Sequence, residues 1–303
     1  MKKRRLSQRP RSRDKFRRFS SLIALAFALS TNSCTNIPAG RELVAASVGL
    51  EKYVRELGTP DAASRGVPRA SDATSSSAVN DFSACPQFFE GGKPPLVAPR
   101  PTHRALCYDA FAILHSGESK TAVYVAQRLN RASVLAADEK RTNQFFSDAR
   151  LRSTERATLA DYKDSGFDKG HLAPAGQMPS AQAMAQSFSL ANMVPQAPKH
   201  NRGAWRTSVE DATKKYAGRA SGDVYVITGP VFEPSIAQSP GIGPGQVRVP
   251  KYLFKLVFDE QENRAWAHWH LNDDGTRASR PISYDELVKR TGIEFLPGIH
   301  PAQ

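Results

Sequence analysis

Apolar and polar positions alternate along Tyr108–His115 and again along Thr121–Leu129, with aromatic or β-branched residues at many of the apolar places. This period of two predicts a pair of strands joined at the Ser116-Gly117 turn. Asp223–Thr228 is a β-branched run that predicts a strand ending at Gly229-Pro230, and Tyr252–Phe258 with Ala265–Leu271 predicts a second antiparallel pair. Helical spacing appears at Ser180–Ser187, at Gly203–Ala217 with Gly218 as C-cap, and at Ser283–Thr291. Ser283 and Glu286 have capping-box spacing, and Gly292 closes that last helix. Strands in short hairpins with a few interspersed helices predict an α+β fold, a mostly antiparallel central sheet flanked by helices, and not a doubly wound α/β fold.

Residues 35–81 lack this patterning. They are rich in Ala, Ser, Pro and Gly, with a low-hydrophobicity stretch at Ser71–Ser77, and are read as a low-complexity linker. A folded domain is expected over residues 82–300. Residues 1–34 are expected to be an export signal: a basic stretch from Met1 to Arg18, an apolar run from Leu22 to Leu29, then small polar residues. The chain is therefore expected to be periplasmic or extracellular. Cys34 follows a poor match to a lipoprotein cleavage site, so cleavage of the signal and lipid anchoring at Cys34 both stay open.

The formal charge of +13 invites a nucleic-acid partner, but its distribution weakens that inference. Residues 1–33 hold ten Lys/Arg and one acid; the rest of the chain has 32 basic and 28 acidic residues, a net of only +4. Most of the basicity belongs to the signal, so total charge says little about the folded domain. The remaining cysteines, Cys85 and Cys107, are expected to pair in an exported protein, closing a loop worth roughly 3 kcal/mol; two buried thiols are the alternative.

Candidate chemistry concentrates in Asp168-Lys169-Gly170-His171 and in Asn201-Arg202-Gly203-Ala204-Trp205, thirty residues beyond the histidine. An imidazole can serve as general base for water near neutral pH, and Asp168 could orient it or cap the turn. Asn201 offers a neutral oxygen of the kind a hard cation such as Mg²⁺ accepts, although an N-cap role would also place Asn there. Glu210 could hold metal-bound water, and Arg141, in Lys140–Asp148, has the planar fork that clamps phosphate. A solvated glutamate and a solvated arginine are the bland alternatives. The His268-Trp269-His270 pattern could bind Zn²⁺ but has no further ligand near it. Gly241-Ile242-Gly243-Pro244-Gly245 is read as a surface loop, since no helix follows it.

Together these segments resemble the DNA/RNA non-specific endonucleases of the ββα-metal (His-Me finger) superfamily. Asp168–Pro174 resembles the D-[RK]-G-H signature, Asn192-Met193-Val194-Pro195-Gln196 an N-x-x-P-Q strand end, Asn201–Trp205 the start of the metal-binding helix, and Lys140–Asp148 an upstream R-x-x-x-F-x-x-D segment. Tyr225–Phe232, Val249–Tyr252 and Thr291-Gly292 follow in the family's order. The resemblance implies His171 as general base and Asn201 as sole direct protein ligand of one Mg²⁺, with Mn²⁺ an alternative. It implies Arg141 as phosphate stabiliser, Glu210 as holder of the hydrated metal, and Lys169, Asn192 and Arg202 as substrate-binding residues. The implied substrates are DNA and RNA, cut to leave 5′-phosphate ends; no specific protein partner is expected. A catalytically inactive nucleic-acid-binding protein of this fold, or a hydrolase of a small phosphodiester, are the competing functions. One departure bears on structure. The family places Glu four residues after the Trp, whereas Val209 stands there and Glu210 comes fifth. At about 100° per residue an extra position turns the side chain far round a regular helix, which predicts a one-residue π-bulge between Trp205 and Glu210.

Overall fold

The structure, a computed structural model, describes residues 81–302; the expected export signal, Cys34 and the linker up to residue 80 lie outside them. Eleven strands appear among the described residues: β1 (His103–Cys107), β2 (Ala112–Ser116), β3 (Thr121–Leu129), β4 (Asp168–His171), β5 (Met193–Gln196), β6 (Val224–Val231), β7 (Gly241–Ile242), β8 (Val247–Arg248), β9 (Tyr252–Asp259), β10 (Arg264–Leu271) and β11 (Ile282–Ser283). Seven form one antiparallel sheet in the order β1-β2-β3-β6-β9-β10-β11, while β4 pairs only with β5 and β7 only with β8. The helices are α1 (Arg131–Leu135), α2 (Leu159–Tyr162), α3 (Ala181–Ser187), α4 (Pro198–His200), a π-helix over Asn201–Glu210, α5 (Asp211–Ala217) and α6 (Tyr284–Thr291). This is the α+β architecture expected from the sequence. No helix among the described residues is long and apolar enough to cross a membrane.

Strand alternation gives the large sheet a core on each face. Ile113 and Val125 point into a cluster with Leu172, Phe188 and Trp205, on the side that carries β4, β5 and the π-helix. Leu114, Tyr124 and Ala126 point the other way, onto Phe88, Phe89, Leu287 and Phe295. The Cys85–Cys107 disulfide ties the segment bearing Phe88 and Phe89 to the end of β1.

Several sequence expectations need correction. The single strand expected over Tyr108–His115 is a turn followed by β2; the Tyr108 N–H donates to the Phe111 carbonyl, and their rings stack at 4.4 Å. β6 runs through Gly229 and Pro230 instead of stopping there. β3 pairs with β6 only as far as Thr228, so beyond it Pro230 faces a single partner strand, β9, and its missing N–H breaks no ladder. The helix expected from Gly203 begins at Pro198, five residues earlier. The glycine-rich stretch is not a free loop: Gly241 and Ile242 form β7, and a Cβ on Gly243 would sit 2.1 Å from the Asp161 Cα. Ser283 caps α6 as expected, accepting from the Glu286 N–H, and Gly292 ends that helix with φ of 68°; Ser180 likewise caps α3, accepting from the Ala183 N–H.

His115, on β2, is wholly buried, and its Nε2–H donates to the Glu155 carbonyl at 2.8 Å. Burial pulls its pKa from 6.5 to about 4, and its Nδ1 has no partner to receive a proton's charge. An unfolded imidazole takes up that proton near pH 6.5. Stability is therefore complete above about pH 6.5 and is lost as pH falls towards about 4, by up to roughly 3 kcal/mol from this residue. Urea denaturation midpoints measured from pH 7 down to 4.5 should fall steadily; a pH-independent midpoint would contradict the assignment.

Candidate active site

β4 and β5 form a short ribbon in which Asp168, Lys169, Gly170 and His171 lie opposite Gln196, Pro195, Val194 and Met193. Alternation sends Lys169 and His171 to one face. Both reach Phe145: the Lys169 ammonium stands 4.9 Å from that ring and the His171 imidazole 5.9 Å. Gly170 faces the other way, against Gln196. A Cβ on Gly170 would lie 2.6 Å from the Cβ of Gln196, so only glycine lets the two strands close at this position.

His171 is buried, with Phe188 edge-on at 5.2 Å, and its Nε2 has no hydrogen-bond partner among the described residues. Burial first, and the Arg141 charge second, pull its pKa down to about 3. The ring is thus neutral at physiological pH, the form that accepts a proton. Asp168 does not orient it, contrary to one of the two roles considered for that acid. Its carboxylate instead accepts from the Asn201 amide at 2.9 Å and from Arg202 Nε at 2.7 Å, with a second bond from Arg202 Nη2. These contacts hold Asp168 below the usual carboxylate range despite an opposing burial effect.

Asn201 is not an N-cap. Its backbone is helical, at φ −55° and ψ −52°, and its N–H donates to the Ala197 carbonyl within a helix that has already begun at Pro198. With the amide N–H₂ engaged by Asp168, the carboxamide orientation is set and Oδ1 is left to face a ligand.

Glu210 is nine residues further along the same helical stretch. In a regular α-helix that spacing puts two side chains about half a turn apart, on opposite faces. Asn201–Glu210 instead has π-type winding, kinked at Gly203 where the backbone leaves helical angles (φ −107°, ψ −108°), and the Asp211 N–H closes onto the Arg206 carbonyl five residues back. The wider turns bring Asn201 and Glu210 into one cleft of about 740 Å³. The expected bulge is therefore present, extended over ten residues. Burial raises the Glu210 pKa, with the Lys255 charge opposing.

Arg141, His171, Asn201 and Glu210 all line that cleft, as do Lys169 and Arg202. Arg141 is exposed; its Nε donates to Asn143 at 2.6 Å and its guanidinium lies 5.0 Å over the Phe188 ring. Asn192 does not belong with them. Fully buried, its amide donates to the carbonyls of Ala173 and Ser187 and its oxygen accepts from the Ala173 N–H, each at 2.9 Å. Both amide protons are used and the side chain is closed off from the cleft, so Asn192 secures the chain just past His171. His268 and His270 are both buried, and His270 bonds His200 at 3.1 Å. No group of three or more His, Cys, Asp or Glu among the described residues converges as a metal site, which removes the Zn²⁺ reading of that pattern.

Three cations escaped the sequence reading. Arg206 and Lys214 line the cleft, Lys214 bonding the Gly176 carbonyl at 2.5 Å. Their helical spacing from Asn201 and Glu210 was visible but unremarkable among solvated lysines and arginines. Lys255, beneath the cleft, is fully buried. Its signal was plain: one lysine amid the apolar run Tyr252–Phe258 is costly to bury without a purpose.

Residues 97–302 match the DNA/RNA non-specific endonuclease family. Nuclease C1 of Cunninghamella echinulata var. echinulata is 32% identical over 206 residues, covering 63% of this chain and 79% of that protein. Mitochondrial endonuclease G of Homo sapiens is 34% identical over 206 residues, covering 63% and 69%. Among solved structures, that of an EndoG/EndoGI complex superposes with a TM-score of 0.60 at 22% identity, covering 71% of this chain and 91% of that one, a likeness of fold. The chain belongs to the DNA/RNA non-specific endonuclease family, metal-dependent nucleases that hydrolyse phosphodiester bonds.

Proposed function

We propose that this chain is an exported endonuclease that cleaves DNA and RNA without regard to base sequence, uses Mg²⁺ or Mn²⁺, and leaves 5′-phosphate ends. The observation that carries the proposal is the shared cleft: an imidazole whose Nε2 has no partner among the described residues, a carboxamide held by Asp168 and the Glu210 carboxyl line it together with a rim of basic side chains. Such a rim binds phosphate through charge and reads no base edges. Arg141 and Lys169 would engage the scissile phosphate, while Arg202 is partly committed to Asp168.

The donor set fits a hard cation that keeps most of its waters. Asn201 Oδ1 would be the direct ligand, and Glu210 would hold the ion's waters by hydrogen bonds. Bound there, the cation would supply Lewis-acid polarisation of a phosphate oxygen and offset charge developing on it. His171 Nε2, with no other partner, would take the proton from the attacking water. A bound phosphodiester also brings a negative charge that counters Arg141 and makes the imidazole a better base than in the free protein.

Export is supported by the basic and apolar segments of residues 1–33 and by the Cys85–Cys107 disulfide, a bond suited to an oxidising compartment. Acylation of Cys34 would add a lipid anchor on the same route. Plasmid DNA and RNA incubated with the purified protein, with and without EDTA, separate the competing functions. EDTA-sensitive cleavage is expected; DNA bound but uncut would indicate an inactive binder, and no effect on DNA a small-phosphodiester hydrolase.

His171→Ala should lower the cleavage rate by 10²–10⁴-fold with the fold intact by circular dichroism; more than about a tenth of native activity would remove His171 from the base role. Asn201→Ala should displace the Mg²⁺ titration to much higher concentration, and an unchanged titration curve would rule out the ligand assignment. For Asp168→Ala, which frees the Asn201 amide to rotate, kcat/KM should drop by about 10–100-fold. Native kcat/KM in that variant would show that the hydrogen bond does not matter to the reaction.

A further inference from the structure

Lys255 stands in the middle of β9 with no solvent exposure. Removing an ammonium from water costs several kcal/mol unless the interior compensates it. No carboxylate among the described residues forms an ion pair with it, yet three parts of the site converge on its Nζ. Thr228, its register partner on β6, accepts a hydrogen bond at 2.5 Å. The Leu172 carbonyl, on the residue next to His171, accepts another at 3.2 Å. The Trp205 ring, which anchors the π-helix in the core, lies 6.0 Å away. Burial lowers the Lys255 pKa, and the Glu210 charge opposes that shift.

Thr228 belongs to the rigid central sheet, and Leu172 to the chain leaving β4. The ammonium therefore bridges the sheet to the backbone that carries the imidazole. Asn192 secures the same chain one residue on, at Ala173. The His171 backbone is thus fixed by the β4–β5 pairing on one side and by these two buried clamps on the other. Of the two, only Lys255 carries charge, and it lies beneath the acid of the cleft.

We propose that Lys255 is a positioning residue of the nuclease reaction: its buried ammonium locks the Leu172 carbonyl, and with it the His171 ring, against the central sheet. The inference rests on the functional reading above. Neither Lys255 nor Thr228 lines the cleft, so neither is expected to contribute to substrate binding.

Lys255→Met keeps the length and volume and deletes the charge. Deleting the ammonium removes its desolvation cost but leaves the Leu172 carbonyl and the Thr228 hydroxyl without their donor, so the fold of the full chain carrying it is checked by circular dichroism. Its kcat on plasmid DNA should fall by about 10–100-fold, the loss typical of supporting hydrogen bonds around a metal centre, while KM stays within about threefold. In the metal-free protein, the His171 ring nitrogens in a long-range ¹H–¹⁵N spectrum should shift from their native positions, a change that a role in stability alone would not produce. Native and His171→Ala proteins are assayed in parallel. If the native protein shows no metal-dependent cleavage, the functional reading itself fails. If native cleaves, His171→Ala does not, and folded Lys255→Met keeps kcat within about threefold with an unshifted His171 spectrum, the Lys255 proposal is overturned and the functional reading stands. Should the methionine variant fail to fold, Thr228→Val decides, since it removes one of the two acceptors at nearly constant shape: a lowered kcat with unchanged KM supports the proposal, and native kcat overturns it.

Discussion

The site depends on how many residues a helix fits into each turn. Between Asn201 and Glu210 the chain has one residue too many for a regular helix to put both side chains over the same cleft. Winding that stretch as π-helix absorbs the surplus. The cost of the wider turns is met by burial at the helix's inner face, where Trp205 and Val209 are both fully enclosed. Trp205 packs edge-on against His200 of α4 at 5.6 Å and His270 of β10 at 5.7 Å, two imidazoles that also bond each other, so the irregular segment is tied to the sheet. Function and packing thus constrain the same ten residues from opposite sides.

Electrostatics at the site follow from the same arrangement. Asp168 is kept ionised by Asn201 and Arg202, His171 is kept neutral by burial and by Arg141, and the burial that raises Glu210 is opposed by Lys255. Burial is the larger influence on His171 and Glu210, and in each of the three groups a charged or hydrogen-bonding neighbour from a different segment adds to or opposes it.

Much of this was legible in the sequence, and the limits have physical causes. Thr121–Leu129 was bounded correctly because its alternation is long and its ends are marked. The Tyr108–Phe111 turn was missed because stacked aromatics in a turn have the same composition as a strand. The motifs and their spacing singled out His171 and Asn201, which the structure brings to one cleft, and the mismatch at Val209 anticipated a one-residue π-bulge after Trp205 but not a π-helix starting at Asn201. Asn192 was misassigned: as a residue type, an asparagine facing a substrate and one clamping a loop are identical, and only its three filled hydrogen bonds tell them apart. Asp168's true partner could not be known, since the pairing of residues thirty-three positions apart is a property of the ribbon and helix in three dimensions. Lys255 could have been noticed as a charge within an apolar strand, but nothing local says what it touches.

The disulfide has a wider consequence for how this molecule behaves among its own copies. β1 is the outermost strand of the seven-stranded sheet, and the opposite border, β11, has only two residues. An open strand border is a template on which another chain can add itself. By stapling the Phe88–Phe89 segment to Cys107 at the end of β1, the cross-link keeps the longer border from fraying into a sticky, extended ribbon. In a reducing milieu, the first hazard for this protein would then be clumping through that border, before any failure of the cleft.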